Sequence, residues 1–326
     1  MRRRDLITLL GGAVAWPFAA RAQQRLRRVG VLVSSLAADD PEWQVRGTAF
    51  VQALQERGWT EGRNIHVEYR FGLGNVERLR KSAAELVALA PDLMLAAGPP
   101  AVDAIQEATS AIPLVFANVS DPVASGYVES MARPGGNTTG FMSTEFGLSA
   151  KLLELLKEIA PRVTRVAIIR LAATGVGQLG AIRAVASSFG VELTPIVIRD
   201  QNGDVGPALA AFARGMNGGV IVPGGGTTQV QRQQIILAAA RHRLPAVYQF
   251  RRFVEEGGLI SLGNVQTEPY RLAAGYVDRI LRGEKPADLP VQAPNMVELV
   301  INRKTAKALG IEIPATVLVR ADEVIE

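Results

Sequence analysis

The first half of this chain is repeated, in weakened form, by its second half. Arg28-Val-Gly-Val-Leu-Val33 has a counterpart in Arg165-Val-Ala-Ile-Ile-Arg170, and Gly62-Arg-Asn-Ile-His-Val67 in Gly190-Val-Glu-Leu-Thr-Pro195. Asp92-Leu-Met-Leu-Ala-Ala-Gly98 matches Gly219-Val-Ile-Val-Pro-Gly224, and Ile112-Pro-Leu-Val-Phe116 matches Leu244-Pro-Ala-Val-Tyr248. Gly135-Gly-Asn-Thr-Thr-Gly140 matches Gly257-Gly-Leu-Ile-Ser-Leu262. The order is kept and the separation is nearly constant. Each matched run is short, apolar and rich in β-branched residues, which reads as a buried strand. Between the runs lie helical stripes, such as Trp43, Phe50 and Leu54 before Gly58, or Val76, Leu79, Ala83, Leu86 and Ala90. Strands alternating with helices imply parallel sheets covered on both faces, with right-handed crossovers. The expected fold is therefore α/β, built as two similar doubly wound lobes.

Lobe one is expected from residues 27–143 with 256–290, and lobe two from 144–255 with 291–326. Residues 267–282 read as one more helix and Glu298-Leu-Val-Ile301 as one more strand. The glycine turns in RPGGNTTG (Arg133 to Gly140) and EEGGLISLGN (Glu255 to Asn264) stand where the chain would pass between lobes. Glycine supplies the positive φ that such turns need, so both are candidate hinges.

Residues 1–22 read as a removable leader. Arg2, Arg3 and Arg4 precede an uncharged run from Leu6 to Ala20, and Ala20-Arg21-Ala22 has the small-x-small form of a signal-peptidase site. Cleavage before Gln23 and delivery to the periplasm are expected. The paired arginines point to the twin-arginine route. The alternative, an uncleaved anchor, is disfavoured by a run shorter than the roughly 20 residues of a spanning helix. Loss of four arginines and Asp5 lowers the formal charge of +5 by three. The remaining basic residues are dispersed, so a nucleic-acid footprint is not expected. The chain has no cysteine and two histidines, which excludes disulfides, thiol chemistry and thiolate or histidine-rich metal sites. No cofactor is implied.

In open parallel sheets, ligands sit beyond the carboxyl ends of the strands. That rule nominates Ser34, Ser35, Gly98, Pro99, Asn118, Asp121, Thr174, Gly225, Tyr248 and Asn264. Together they offer hydroxyls, amides, one carboxylate and free backbone N–H groups, a set suited to a small polar or zwitterionic solute. Each has a plainer reading. Asp121-Pro122 is a good helix start, with aspartate capping and proline in the first turn. Ser34 and Ser35 would cap the segment that follows, Gly224-Gly-Gly226 would open the next helix, and Tyr248 would belong to the core. Enzyme motifs are absent: there is no G-x-S-x-G, no H-E-x-x-H, no Walker lysine loop, and no G-x-G-x-x-G after the first strand.

Several stretches resemble the tryptophan/tyrosine-type substrate-binding proteins of ABC transporters. They include "RVGVLVSS", "GWTEGRNIHVEYR", "PLVFANVSDPVASGYVESMARPGGNTTGF" and the run from "YQFRRFVEEGGLISLGN" to "LGIEIP", so nearly the whole chain is covered. The resemblance implies a type I periplasmic-binding-protein fold, with two lobes joined by three crossovers. It also implies delivery of the ligand, an amino acid or similar zwitterion, to a permease in the inner membrane; a monomer is expected. Two places depart from the family pattern. Gly98-Pro99-Pro100 stands where a Gly-Thr segment is usual, and Leu171-Ala-Ala-Thr174 where an Asn-Pro-rich loop is usual. Two other outputs share such a fold: a sensor that passes lobe closure to a membrane receptor, and an enzyme acting on a small metabolite.

Overall fold

The computed structural model describes residues 26–143, 146–171, 176–198, 204–224, 228 and 230–326. The proposed leader lies outside them, as do Thr174 and Gly225.

Lobe one is a five-stranded parallel sheet in the order β2-β1-β3-β4-β5. Its strands are β1 (Arg27–Val33), β2 (Ile65–Phe71), β3 (Leu93–Ala97), β4 (Leu114–Val119) and β5 (Thr138–Met142). Lobe two repeats that order as β7-β6-β8-β9-β10, from β6 (Arg165–Leu171), β7 (Glu192–Ile198), β8 (Gly218–Val222), β9 (Ala246–Tyr248) and β10 (Ile260–Asn264). Two more strands extend it: β11 (Val297–Asn302), antiparallel to β10, and β12 (Glu323–Ile325), parallel to β11. The internal duplication is thus a duplication of topology. Pro195 interrupts a strand sequence without harm because β7 is an edge, where a missing N–H donor leaves no ladder bond unmade.

Strand alternation sends successive side chains to opposite faces, and helices cover both. In lobe one, Val29, Val31 and Val33 meet Trp43, Phe50 and Leu54 of α1 (Pro41–Glu56). Leu32 faces the other way, onto Leu79, Ala83 and Leu86 of α2 (Val76–Ala88) and Ala101, Val102 and Ile105 of α3 (Pro99–Ala108). Helix α1 begins where Asp40 accepts a hydrogen bond from the Glu42 amide (2.8 Å) and Pro41 takes the first turn, and Gly58 follows its end at φ +88°. In lobe two, one face carries α4 (Phe146–Ile159) and α5 (Val176–Ala186). The other carries α6 (Gly206–Phe212), α7 (Arg232–Arg241) and α8 (Arg251–Glu255).

The chain changes lobe three times. It leaves lobe one between β5 and α4. It returns after Asn264, because α9 (Glu268–Leu281) lays Tyr270, Ala273, Ala274 and Val277 onto the α1 side of lobe one. It departs again after Gln292, whose amide donates to Gly140 O (3.1 Å) and whose carbonyl accepts from the Met142 amide (2.8 Å). Beyond β11, α10 (Arg303–Leu309) and α11 (Ala315–Leu318) pack on lobe two.

Two expectations need correction. Residues 256–264 were assigned to lobe one, yet β10 lies between β9 and β11 in the lobe-two sheet, so the boundary falls after Asn264. The glycine turns are also not the hinges. Gly135, Gly136 and Gly257 have φ values of +69°, +49° and +108°, but they sit at the amino ends of β5 and β10, a strand length from the crossings. Gly258 is fixed by packing, since a Cβ there would lie 2.7 Å from Phe253 O and from the Tyr248 ring.

Candidate ligand cleft

The segment after β1 and the segment after β9 meet. Arg252 Nη1 of lobe two stands 3.8 Å from Asp40 Oδ1 and 3.6 Å from Glu42 Oε2 of lobe one. The carboxyl edges of the two sheets therefore face each other across a cleft.

In lobe one, Ser34 and Gly98 act on each other. The Ser34 hydroxyl, 7% exposed, donates to Ala97 O (2.7 Å), and the Gly98 amide donates to Ala117 O (3.0 Å). Gly98 has φ +94°, and a Cβ on it would come within 2.6 Å of Ser34 Oγ. Together they close the ends of β1, β3 and β4, so Ser34 is spent on the scaffold. Ser35 is exposed, and neither serine caps α1, because Asp40 does. Pro99 opens α3, and its carbonyl accepts from Tyr127 Oη (3.3 Å), which also donates to Asp103 (2.7 Å).

Asn118 is the strained residue of this edge. It has φ +65° at the point where the β4–β5 register shifts between Ala117 and Val119, and it is half-buried. A non-glycine residue held in the left-handed region costs about 1–3 kcal/mol and tends to mark functional sites. Its amide makes no side-chain hydrogen bond among the described residues. Three residues on, half-buried Asp121 accepts at Oδ1 from the Ala124 amide (3.0 Å). The segment it caps is a turn over 122–126 and not the helix expected from Asp-Pro. That turn uses one carboxylate oxygen and leaves the other open to a ligand.

In lobe two, Tyr248 is not a cleft residue. It is 1% exposed and stacks on Phe253 with ring centroids 4.7 Å apart, and burial pushes its hydroxyl pKa upward. Alternation explains the error, because Val247 faces the α4 side, Tyr248 the α7 and α8 side, and only Gln249 leaves the strand. Buried Gln249 accepts at Oε1 from the Gly224 amide (2.5 Å) and from Gln178 Nε2 (3.3 Å), so two glutamines and a backbone N–H line this edge. Arg170, half-buried and next to last in β6, adds a cation there.

Asn264 ends β10 at the second crossing. It is 3% exposed, and its Oδ1 has no hydrogen-bond partner among the described residues. Burying an amide oxygen without a donor costs about 1–3 kcal/mol. Its carbonyl accepts from Gln266 Nε2 (3.0 Å), and Gln266 Oε1 accepts from Arg46 Nη2 (2.8 Å). Buried Arg46 also pairs with Glu42 and lies over the Tyr270 ring, 5.8 Å from its centroid. Sequence reasoning missed Arg46, although it interrupts the apolar stripe Trp43, Phe50, Leu54, and an arginine within such a stripe needs a buried partner. Gln178 and Gln266 carried no such signal.

The family model for ABC transporter substrate-binding proteins matches residues 31–325. The chain belongs to that family. A curated relative of this substrate-binding protein, named tyrosine-binding protein, from Clostridioides difficile, is 24% identical over 292 residues, 89% of this chain and 82% of the relative. Two solved structures share its fold. An ABC domain in complex with L-Trp from Streptococcus pneumoniae has a TM-score of 0.83 at 24% identity, covering 92% of this chain and 100% of that one. A conserved domain protein from Vibrio cholerae has a TM-score of 0.82 at 28% identity, with the same coverage of both chains. The fold is the type I periplasmic-binding-protein fold that the resemblance implied.

Proposed function

We propose that this substrate-binding protein is exported and captures an amino acid, or a zwitterion of that size, between its lobes for delivery to an ABC permease in the inner membrane. The ligand class rests on two acceptors at strand ends, the Asp121 carboxylate and the Asn264 amide oxygen. One offers a carboxylate oxygen on lobe one. The other offers a buried amide oxygen, without a partner among the described residues, where lobe two joins the crossing. Asp121 would accept from the ligand ammonium, with strained Asn118 beside it. Gln178, Gln249 and Arg170 on the other edge would meet a carboxylate or side chain. Names of relatives that specify tyrosine and tryptophan support an amino acid and favour an aromatic one.

A ligand touching both lobes makes more contacts when they are closed and so favours closure. The leader, read as a twin-arginine signal ending at Ala22, would place this event in the periplasm. Calorimetry of ligand-stripped protein against the amino acids tests the ligand class. At 100 times its dissociation constant, a ligand stabilises the fold by about 2.7 kcal/mol, a melting shift of several degrees. A panel in which no amino acid gives heat or a shift would remove the proposal. Changing Arg3 and Arg4 to lysine should hold precursor in the cytoplasm, and unchanged periplasmic yield would remove the twin-arginine route alone.

A further inference from the structure

At the amino edge of the lobe-one sheet, opposite the cleft, the surface holds a second concavity of about 470 Å3. Four segments build it: the start of β1 (Arg27), the end of α1 (Arg57 and Trp59), the turn before β2 (Arg63 and Asn64) and the end of α9 (Arg282). Of its eight lining residues four are arginines and none is acidic.

Helix ends explain part of this. The carboxyl ends of α1 and α9 meet here, and arginines complement the negative end of a helix dipole. Arg57 Nη1 donates to Ala53 O (2.7 Å), and Arg282 Nη2 donates to Arg57 O (3.3 Å). Capping does not explain the rest. Arg63 belongs to no helix, is exposed, and makes no side-chain ion pair or hydrogen bond among the described residues. The carboxylate nearest Arg57 is that of Glu56, 3.9 Å away and outside the pocket lining. Arg27 and Arg282 are held by Asp92 (2.9 Å) and Asp278 (2.6 Å), which fix two guanidiniums in place, while Arg57 has only the distant Glu56 and Arg63 has no ion pair among the described residues. Trp59 forms a buried wall, anchored by its Nε1–H to Asp278 (2.8 Å) and covered by Arg282, 5.9 Å from the ring centroid.

Guanidiniums fixed around one concavity repel each other, and an anion between them converts repulsion to attraction. The planar fork of arginine matches phosphate oxygens two at a time. The volume lies within the range of small-molecule sites. We propose that this pocket is a second binding site, for a phosphoryl group, independent of the cleft. The group could come from a soluble phosphate ester or from a phospholipid headgroup, and the test separates the two.

The mature protein is titrated with inorganic phosphate and with glycerol 3-phosphate at an ionic strength fixed by sodium chloride. It is also sedimented with vesicles of phosphatidylglycerol or of phosphatidylcholine. Saturable heat with either phosphate compound, or pelleting with phosphatidylglycerol alone, supports the site and names its source. The pair Arg57→Gln and Arg63→Gln should weaken that binding at least tenfold. It should leave amino-acid binding in the cleft unchanged, and Arg63→Gln alone should also leave the melting temperature unchanged, since Arg63 is exposed and makes no structural bond. No saturable heat and no pelleting would overturn the proposal. So would binding that the double variant retains, or a signal that chloride alone reproduces.

Discussion

Arg252 of lobe two and Glu42 of lobe one stand 3.6 Å apart across the mouth of the cleft, with Asp40 3.8 Å from the same nitrogen. The Arg252 guanidinium is held in turn by Glu256 (3.1 Å). These ion pairs join the lobes beside the second crossing, since Glu42 also pairs with Arg46, which donates to Gln266.

The contact should bias closure weakly and in a salt-dependent way. Partly exposed pairs are worth about 0.2–1 kcal/mol and are screened within about 10 Å at 0.1 M salt. Arg252→Gln should therefore weaken cleft binding by about two- to fivefold and reduce the salt dependence of affinity. Calorimetry at two ionic strengths measures both. Equal salt slopes in variant and parent would show that the pairs do not bias closure.

Asp121→Asn separates the turn cap from the ligand contact. Asparagine caps about as well as aspartate, so the bond from the Ala124 amide should survive and the melting of empty protein should hardly move. A charge-assisted bond to an ammonium would be lost, weakening affinity by about 1.5–3 kcal/mol, tenfold or more. Parent-like affinity would leave Asp121 as a cap alone.

Gly98→Ala should destabilise through two separable causes. The φ of +94° strains any side chain, and the new Cβ would lie 2.6 Å from Ser34 Oγ. Together they should cost about 2–4 kcal/mol in chemical denaturation. Ser34→Gly in the same chain should recover the clash and leave the backbone cost. No recovery would mean that the conformation alone forbids the residue.

Alkali offers a check on burial. All five tyrosines, Tyr69, Tyr127, Tyr248, Tyr270 and Tyr276, have hydroxyl pKa values raised by desolvation, Tyr69 to about 12. Raised values in the fold mean that stability is full below the unfolded value of about 10 and falls as pH rises above it, because only the unfolded chain then loses protons. Tyrosinate absorbance should lag that of free tyrosine as pH rises and appear together with unfolding. A gradual rise at constant far-ultraviolet dichroism would contradict it.

The strands and the duplication of the lobes were legible because buried parallel strands must be short apolar runs, and the runs recur. What lay beyond the runs was less so. Tyr248 was placed in the cleft because it ends an apolar run, and only the face of its neighbour Val247 tells which way it points. Asp121 announced a cap correctly, while the helix it seemed to start is a turn, since both use the same Asp-Pro signal. The boundary at 256 conflicted with the duplication, which pairs β10 with β5 as the fifth strand of each lobe. Asn264 was nominated by position, and the absence of a partner for its Oδ1 appears only in three dimensions.

Helix α9 has a consequence for biogenesis. The valines of β1 come early in the chain, yet Tyr270, Ala273 and Val277, which cover their face, come some 240 residues later. The second lobe likewise needs β11 and β12, which follow that helix. Lobe one is therefore incomplete until α9 has been made, and the nascent chain must keep its apolar strands soluble until then. A chain stopped after Asn264 should bind a dye specific for exposed apolar surface and fail to give a cooperative melt, although it contains every strand of the lobe-one sheet.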